Sequence, residues 1–169
     1  MIDEGLIVLD SALTNKKSII HYLSEKAKEF GYLKNSANYI KAVNKREEEF
    51  STAIGYDVSI PHGKSKEVIN PFICFLRTNQ PIQWDTNGNT VELVFMLGIP
   101  EENKTTFHLK VLAEISKKLL DEGFRNDLLT GSKESILDEN RWSIGMSYRS
   151  SPHIHGSRSI GKRRKKERT

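Results

Sequence analysis

Cysteine is nearly absent from these 169 residues: Cys74, in Pro-Phe-Ile-Cys-Phe-Leu, stands alone. No internal disulfide can staple the fold, so a reducing, cytoplasmic setting is expected. Long apolar runs are missing as well. None approaches the roughly 20 residues of a membrane-spanning helix, and the opening Met-Ile-Asp-Glu-Gly lacks the basic-then-apolar pattern of a signal peptide. Acidic residues are scarce only at one end. Residues 141–169 hold 9 of the 26 Lys and Arg but 1 of the 22 Asp and Glu. The net charge of +4 therefore divides into a tail at +8 (9 − 1) and residues 1–140 at −4 (17 − 21). A domain with that balance is not an obvious nucleic-acid binder, and the basic signal belongs to Lys162-Arg163-Arg164-Lys165-Lys166.

These numbers suggest one domain over residues 1–140 and a separate segment, 141–169. From Arg141 the periodicity fades into Ser, Gly, Arg and His, a composition that buries too little apolar surface to offset its ordering entropy. Disorder is expected there, either as an anchor for nucleic acid or acidic lipid or as a linker or truncated neighbour.

Within the domain, Gly5-Leu-Ile-Val-Leu9 reads as a strand. A helix follows, capped by Thr14 or Asn15, with Ile19, Ile20, Leu23, Ala27 and Phe30 at helical spacing up to Gly31. A second helix is expected from Ser36, its inner face traced by Tyr39, Ile40, Val43 and Phe50, with Arg46 on the same line. Ala53–Ile60 alternates as a strand that Pro61 and Gly63 terminate, which places His62 at a strand end. Residues 71–77 and 91–97 are near-continuously apolar, as strands buried on both faces are, and an Asn-Gly turn signal lies between them. Thr105 or Thr106 can cap a helix whose Leu109, Val111, Leu112, Ile115, Leu119 and Leu120 form an apolar stripe; residues 132–139 read as a last, weaker helix. The expected class is α/β or α+β, a mixed sheet covered by helices.

Three residues carry possible chemistry. His62, between Pro61 and Gly63, is held where the chain is constrained before it and unobstructed after it, with Gly63 able to take positive φ. It is a turn histidine or, being largely neutral near pH 7, a nucleophile toward phosphorus or an acyl carbon. His108, in the first turn of a helix, is a packing histidine or a phosphate contact at the positive end of that helix. Arg46 either snorkels outward or pairs with an anion. His21 reads as a surface residue, and Glu47, Glu48 and Glu49 as the solvated face of a helix rather than a metal cluster.

The run from Arg46 through Ser51-Thr52 and Ile54-Gly55 to Ile60-Pro61-His62-Gly63 closely resembles the active-site segment of the fructose/mannitol family of phosphotransferase-system enzyme IIA domains, and His108-Leu109 looks like that family's second histidine. The resemblance covers residues 1 to about 140. It implies a mixed sheet sandwiched between helices, and phosphorylation of His62 by the phosphohistidine carrier HPr. It further implies transfer to a cysteine of an enzyme IIB domain, stabilisation by His108 and Arg46, no cofactor or metal, and indirect service to a membrane IIC permease. The last thirty residues show neither a IIB pattern nor a permease segment. Two other readings stay open: a regulatory IIA-like module whose phosphorylation state controls partner binding, and a metal- or nucleic-acid-binding protein.

Overall fold

The computed structural model describes residues 3–102 and 106–138, apart from the side chains of Phe107 and His108; the expected disordered segment, 141–169, lies outside the described residues. A turn of 3-10 helix at Glu4–Leu6 leads into β1 (Ile7–Ser11), α1 (Lys16–Glu29) and α2 (Ser36–Glu49). The strands β2 (Ala53–Gly55), β3 (Val58–Ser59), β4 (His62–Ser65), β5 (Phe72–Gln83) and β6 (Thr90–Pro100) follow, then α3 (Phe107–Lys118), α4 (Glu122–Thr130) and α5 (Lys133–Leu137). The sheet order is β1-β5-β6-β3-β2, with β4 also on β6. β1 pairs parallel with β5, while β3 and β4 run parallel to β6; the β5–β6 and β2–β3 pairs are antiparallel. This is the expected mixed sheet between helices.

The N-termini of α1 and α2 use the same device. Asn15 Oδ1 accepts from the Ser18 amide at 2.9 Å and Asn35 Oδ1 from Asn38 at 3.1 Å, each satisfying a donor that the helix itself cannot. The long strands alternate between two cores. Phe72, Cys74 and Leu76 face α1 and α2, packing with Ile19, Leu23, Tyr39 and Val43. Ile73 and Phe75 face the opposite way, with Val111 and Ile115 of α3, Leu119 just past its end and Leu128 of α4. That two-sided burial is why 71–77 and 91–97 read as unbroken apolar runs. The turn between them closes at Gly88, whose φ of +90° is a region that favours glycine. Burial pushes the Cys74 thiol well up from its ordinary value, which leaves it inert.

β1 starts at Ile7 rather than Gly5, because Asp3 caps a 3-10 turn that takes up Gly5 and Leu6. Helix α4 was not anticipated, although Asp121 caps it and Phe124 and Leu128 give it an inner face. Leu109 and Leu120, placed in the α3 stripe, are exposed, and Phe50 is 74% exposed because α2 ends one residue before it.

Candidate functional site

Residues 53–60 do not form one strand. Gly55, Tyr56 and Asp57 have φ of +100°, +55° and +61°, and this turn folds the segment into the antiparallel pair β2–β3. Alternating polarity masked the turn, although Gly55 and Asp57 are both residue types that favour it. The tip is held by Arg125 of α4, whose guanidinium stacks 4.7 Å from the centre of the Tyr56 ring.

Pro61 breaks the strand but does not end it. Val58 pairs with Leu93 and His62 with Leu97, an offset of 35 residues in both cases (93 − 58, 97 − 62), so β4 resumes in the register that β3 leaves. His62 is thus the first residue of a strand. The ladder continues across the interruption, because the Leu97 amide donates to the Pro61 carbonyl at 3.0 Å, and Tyr39 Oη donates to the Leu97 carbonyl at 2.6 Å. Since paired residues share a face, His62 projects on the same side as Leu97, Val58 and Ile60, the side covered by α3.

His62 is half-buried, and its Nδ1 lies 2.9 Å from the Ile60 carbonyl oxygen. A carbonyl only accepts, so Nδ1 carries the hydrogen, and in the neutral ring the lone pair sits on Nε2. Gly63 works differently from the expectation. Its φ is not positive; instead, a Cβ there would stand 2.8 Å from Val43 Cγ2 and 3.2 Å from the Val43 amide nitrogen. Glycine lets α2 lie against β4 immediately beside the histidine.

Arg46 sits half-buried in the last turn of α2, on the helix that covers the other face of the sheet. Its Nη1 donates to the Phe50 carbonyl at 2.6 Å, so its guanidinium is held at the helix end. His108 belongs to the first turn of α3, the helix packed on the face to which His62 projects; its side chain lies outside the described residues. Thr106 precedes that helix without a side-chain capping bond. His21 is on the surface as expected, its side chain 65% exposed.

Glu47 departs most from the sequence reading. It is 7% exposed rather than part of a solvated face. Its Oε1 accepts from Trp84 Nε1 at 3.1 Å and from the Thr52 amide and Lys16 Nζ at 3.4 Å each, while Oε2 accepts a short bond from Thr52 Oγ1. The spacing Tyr39, Val43, Glu47 is the i, i+4 line that marks the buried face, and following it would have found the residue. A cleft of about 650 Å³ opens beside Glu47, bordered by Lys16, Ser51, Trp84 and Asp85; His62 is not among its lining residues.

The fold has solved counterparts. The structure is similar to the nitrogen regulatory protein IIA-Ntr of Neisseria meningitidis (30% identity, TM-score 0.72, covering 85% of this chain and 95% of that one). It also shares its fold with IIA mannitol from Escherichia coli (21% identity, TM-score 0.70, covering 82% of this chain and 97% of that one). The first, at 30% identity over 95% of its length, defines the class as a IIA-type domain. Among curated relatives, the PTS system fructose-specific EIIA component of Haloferax volcanii is 30% identical over 135 residues, 79% of this chain and 87% of that protein. The multiphosphoryl transfer protein of Escherichia coli O157:H7 is 32% identical over 132 residues, 78% of this chain but only 16% of that much longer protein. Residues 1–139 match the family model described as "Phosphoenolpyruvate-dependent sugar phosphotransferase system, EIIA 2". The chain belongs to this family. Among the described residues, no helix is long and apolar enough to cross a membrane.

Proposed function

We propose that this chain is a cytoplasmic phosphocarrier that accepts a phosphoryl group from phospho-HPr on His62 Nε2 and passes it to a cysteine of an enzyme IIB domain. The observation that carries the reading is the 2.9 Å contact between His62 Nδ1 and the Ile60 carbonyl. In the first step the Nε2 lone pair attacks phosphorus, the new N–P bond forms as the donor's P–N bond breaks, and the donor imidazole leaves with that electron pair. The ring then carries positive charge, and the Ile60 carbonyl stabilises it through Nδ1–H. In the second step a thiolate attacks phosphorus, an S–P bond forms, and the pair of the breaking N–P bond returns to Nε2. Arg46 neutralises charge on the phosphoryl oxygens, and His108 donates a hydrogen bond to them from the positive end of α3. Neither step needs a metal or cofactor. The phosphocarrier domain comprises residues 1–140, with 141–169 outside it.

Fused relatives support the IIB partner: one, 31% identical, is the fructose-specific EIIABC component of Bacillus subtilis, of which this chain matches 22%. Another is specific for 2-O-alpha-mannosyl-D-glycerate, so family membership carries no particular sugar. The 30% identity to IIA-Ntr favours a second reading, in which phosphorylation of the same histidine regulates a partner.

Incubation with phosphoenolpyruvate, enzyme I and HPr tests the proposal. One acid-labile phosphate is expected on the wild type and none on His62→Ala, and a folded Arg46→Ala is expected to accept on the order of 100-fold more slowly. A wild type that stays unmodified would overturn the phosphocarrier reading; wild-type kinetics in Arg46→Ala would remove that residue from the site. Transfer onward to a IIB domain separates transport from regulation.

A further inference from the structure

Glu47 is the one acid classed as buried among the described residues, and it lies on α2, across the sheet from the face on which His62 projects. A chain of hydrogen bonds connects the two. Glu47 holds Thr52 by hydroxyl and amide. The Thr52 carbonyl accepts from the Ile60 amide at 3.0 Å, and the Ile60 carbonyl accepts from His62 Nδ1 at 2.9 Å. The carboxylate is itself fixed by Trp84 Nε1 and by Lys16, whose Nζ also stands 5.4 Å over the Trp84 ring. The strands bridged this way are only three and two residues long, so the ladder alone fixes their orientation weakly.

We propose that Glu47 is a positioning residue for His62: by anchoring Thr52 it aims the Ile60 carbonyl, which selects the Nδ1–H tautomer and puts the lone pair on Nε2. The functional meaning rests on His62 being the phosphoryl acceptor; the tautomer claim stands independently of it. A carboxylate retained for stability alone would leave the imidazole indifferent to its loss. Around metal-ligating histidines, removing an outer partner that orients the ring through its second nitrogen costs roughly 10–100-fold in affinity or activity, and an effect at the low end of that range is expected for His62.

The test uses the full chain with Thr52→Val, which loses the hydroxyl at nearly constant shape, Thr52→Ser, which keeps it, and Glu47→Gln. Two-bond ¹H–¹⁵N spectra of the imidazole report which ring nitrogen bears the hydrogen, and acceptance from phospho-HPr is measured on the same samples. Wild type and Thr52→Ser are expected to show His62 as the Nδ1–H form. Thr52→Val and Glu47→Gln are expected to show a tautomer mixture and a kcat for acceptance about tenfold lower at unchanged KM. A folded Thr52→Val that retains either the wild-type tautomer or the wild-type rate overturns the proposal. Should Glu47→Gln fail to fold, the Thr52→Val and Thr52→Ser pair decides. The spectra need no donor protein, so a wild type that takes up no phosphate would end the functional reading while the tautomer populations still judge the positioning claim.

Discussion

The β5–β6 pair and the β2–β3–β4 segment belong to one sheet but are held by different physics. The first consists of strands of 12 and 11 residues, covered on both faces by apolar side chains from helices on each side. The second has strands of three, two and four residues, which bury Val58 and Ile60 and pair with β6 but take their orientation from a few directional contacts: Glu47 to Thr52, Arg125 to Tyr56, Tyr39 to the Leu97 carbonyl, and Val43 against Gly63. Burial is non-directional and sums over many atoms, whereas a hydrogen bond fixes an angle. The frame is therefore where stability resides, and the short strands are where geometry is set. The tautomer we propose for His62 is set in the second region.

The largest expected effect breaks the frame. Phe75 is fully buried with its ring 5.0 Å from that of Phe95, and Phe75→Ala should lower stability by about 3–5 kcal/mol in denaturant unfolding. Phosphoryl acceptance per folded molecule should hardly change; a proportionate loss of acceptance would show that frame and site are not separable. An intermediate effect falls on the junction. Gly63→Ala drives a methyl against Val43, at about 1–3 kcal/mol, and by displacing β4 it should slow acceptance in the molecules that remain folded. Equal loss of stability without slower acceptance would place His62's orientation elsewhere. The smallest effect sharpens the link between regions. Asp85, in the β5–β6 turn, accepts from Ser51 Oγ at 2.5 Å, and that bond first, then those from Asn89 and Asn87, lowers its pKa from 3.8 to about 2. A depressed carboxylate contributes stability that is fully present above about pH 4 and is lost as pH falls through about 2. The melting-temperature gap between wild type and Asp85→Asn should therefore close between pH 4 and pH 2; a gap constant over that window would exclude the linkage.

The same division governs what was legible in the sequence. Helices α1 and α2 and the β5–β6 pair declared themselves because burial leaves a period of 3.6 or a continuous apolar run. The candidate residues Arg46, His62 and His108 come from the resemblance, and their joint role is the proposal made above. What stayed hidden was held by point contacts. The Gly55–Asp57 turn hid because Tyr56 and Asp57 adopt positive φ with support from Arg125 that no local pattern encodes. Glu47 hid in the run Glu47-Glu48-Glu49, which reads as a solvated face, although its i, i+4 spacing from Val43 puts it on the buried line of α2. Phe50 misled because helical spacing continues in the sequence after the helix has stopped.

The parallel pairing of β1 with β5 also bears on how the chain is made. Ile7 meets Phe75, 68 residues later (75 − 7), with both outer helices and all three short strands synthesised in between. At about 5–20 residues per second, the first strand leaves the ribosome roughly 3–14 s before its partner exists. Through that interval the newborn chain exposes Ile7-Val8-Leu9 with its hydrogen-bonding edge unfilled, a template for mispairing. Five residues of strand, ending at Asp10 and Ser11, are short enough to keep that hazard small.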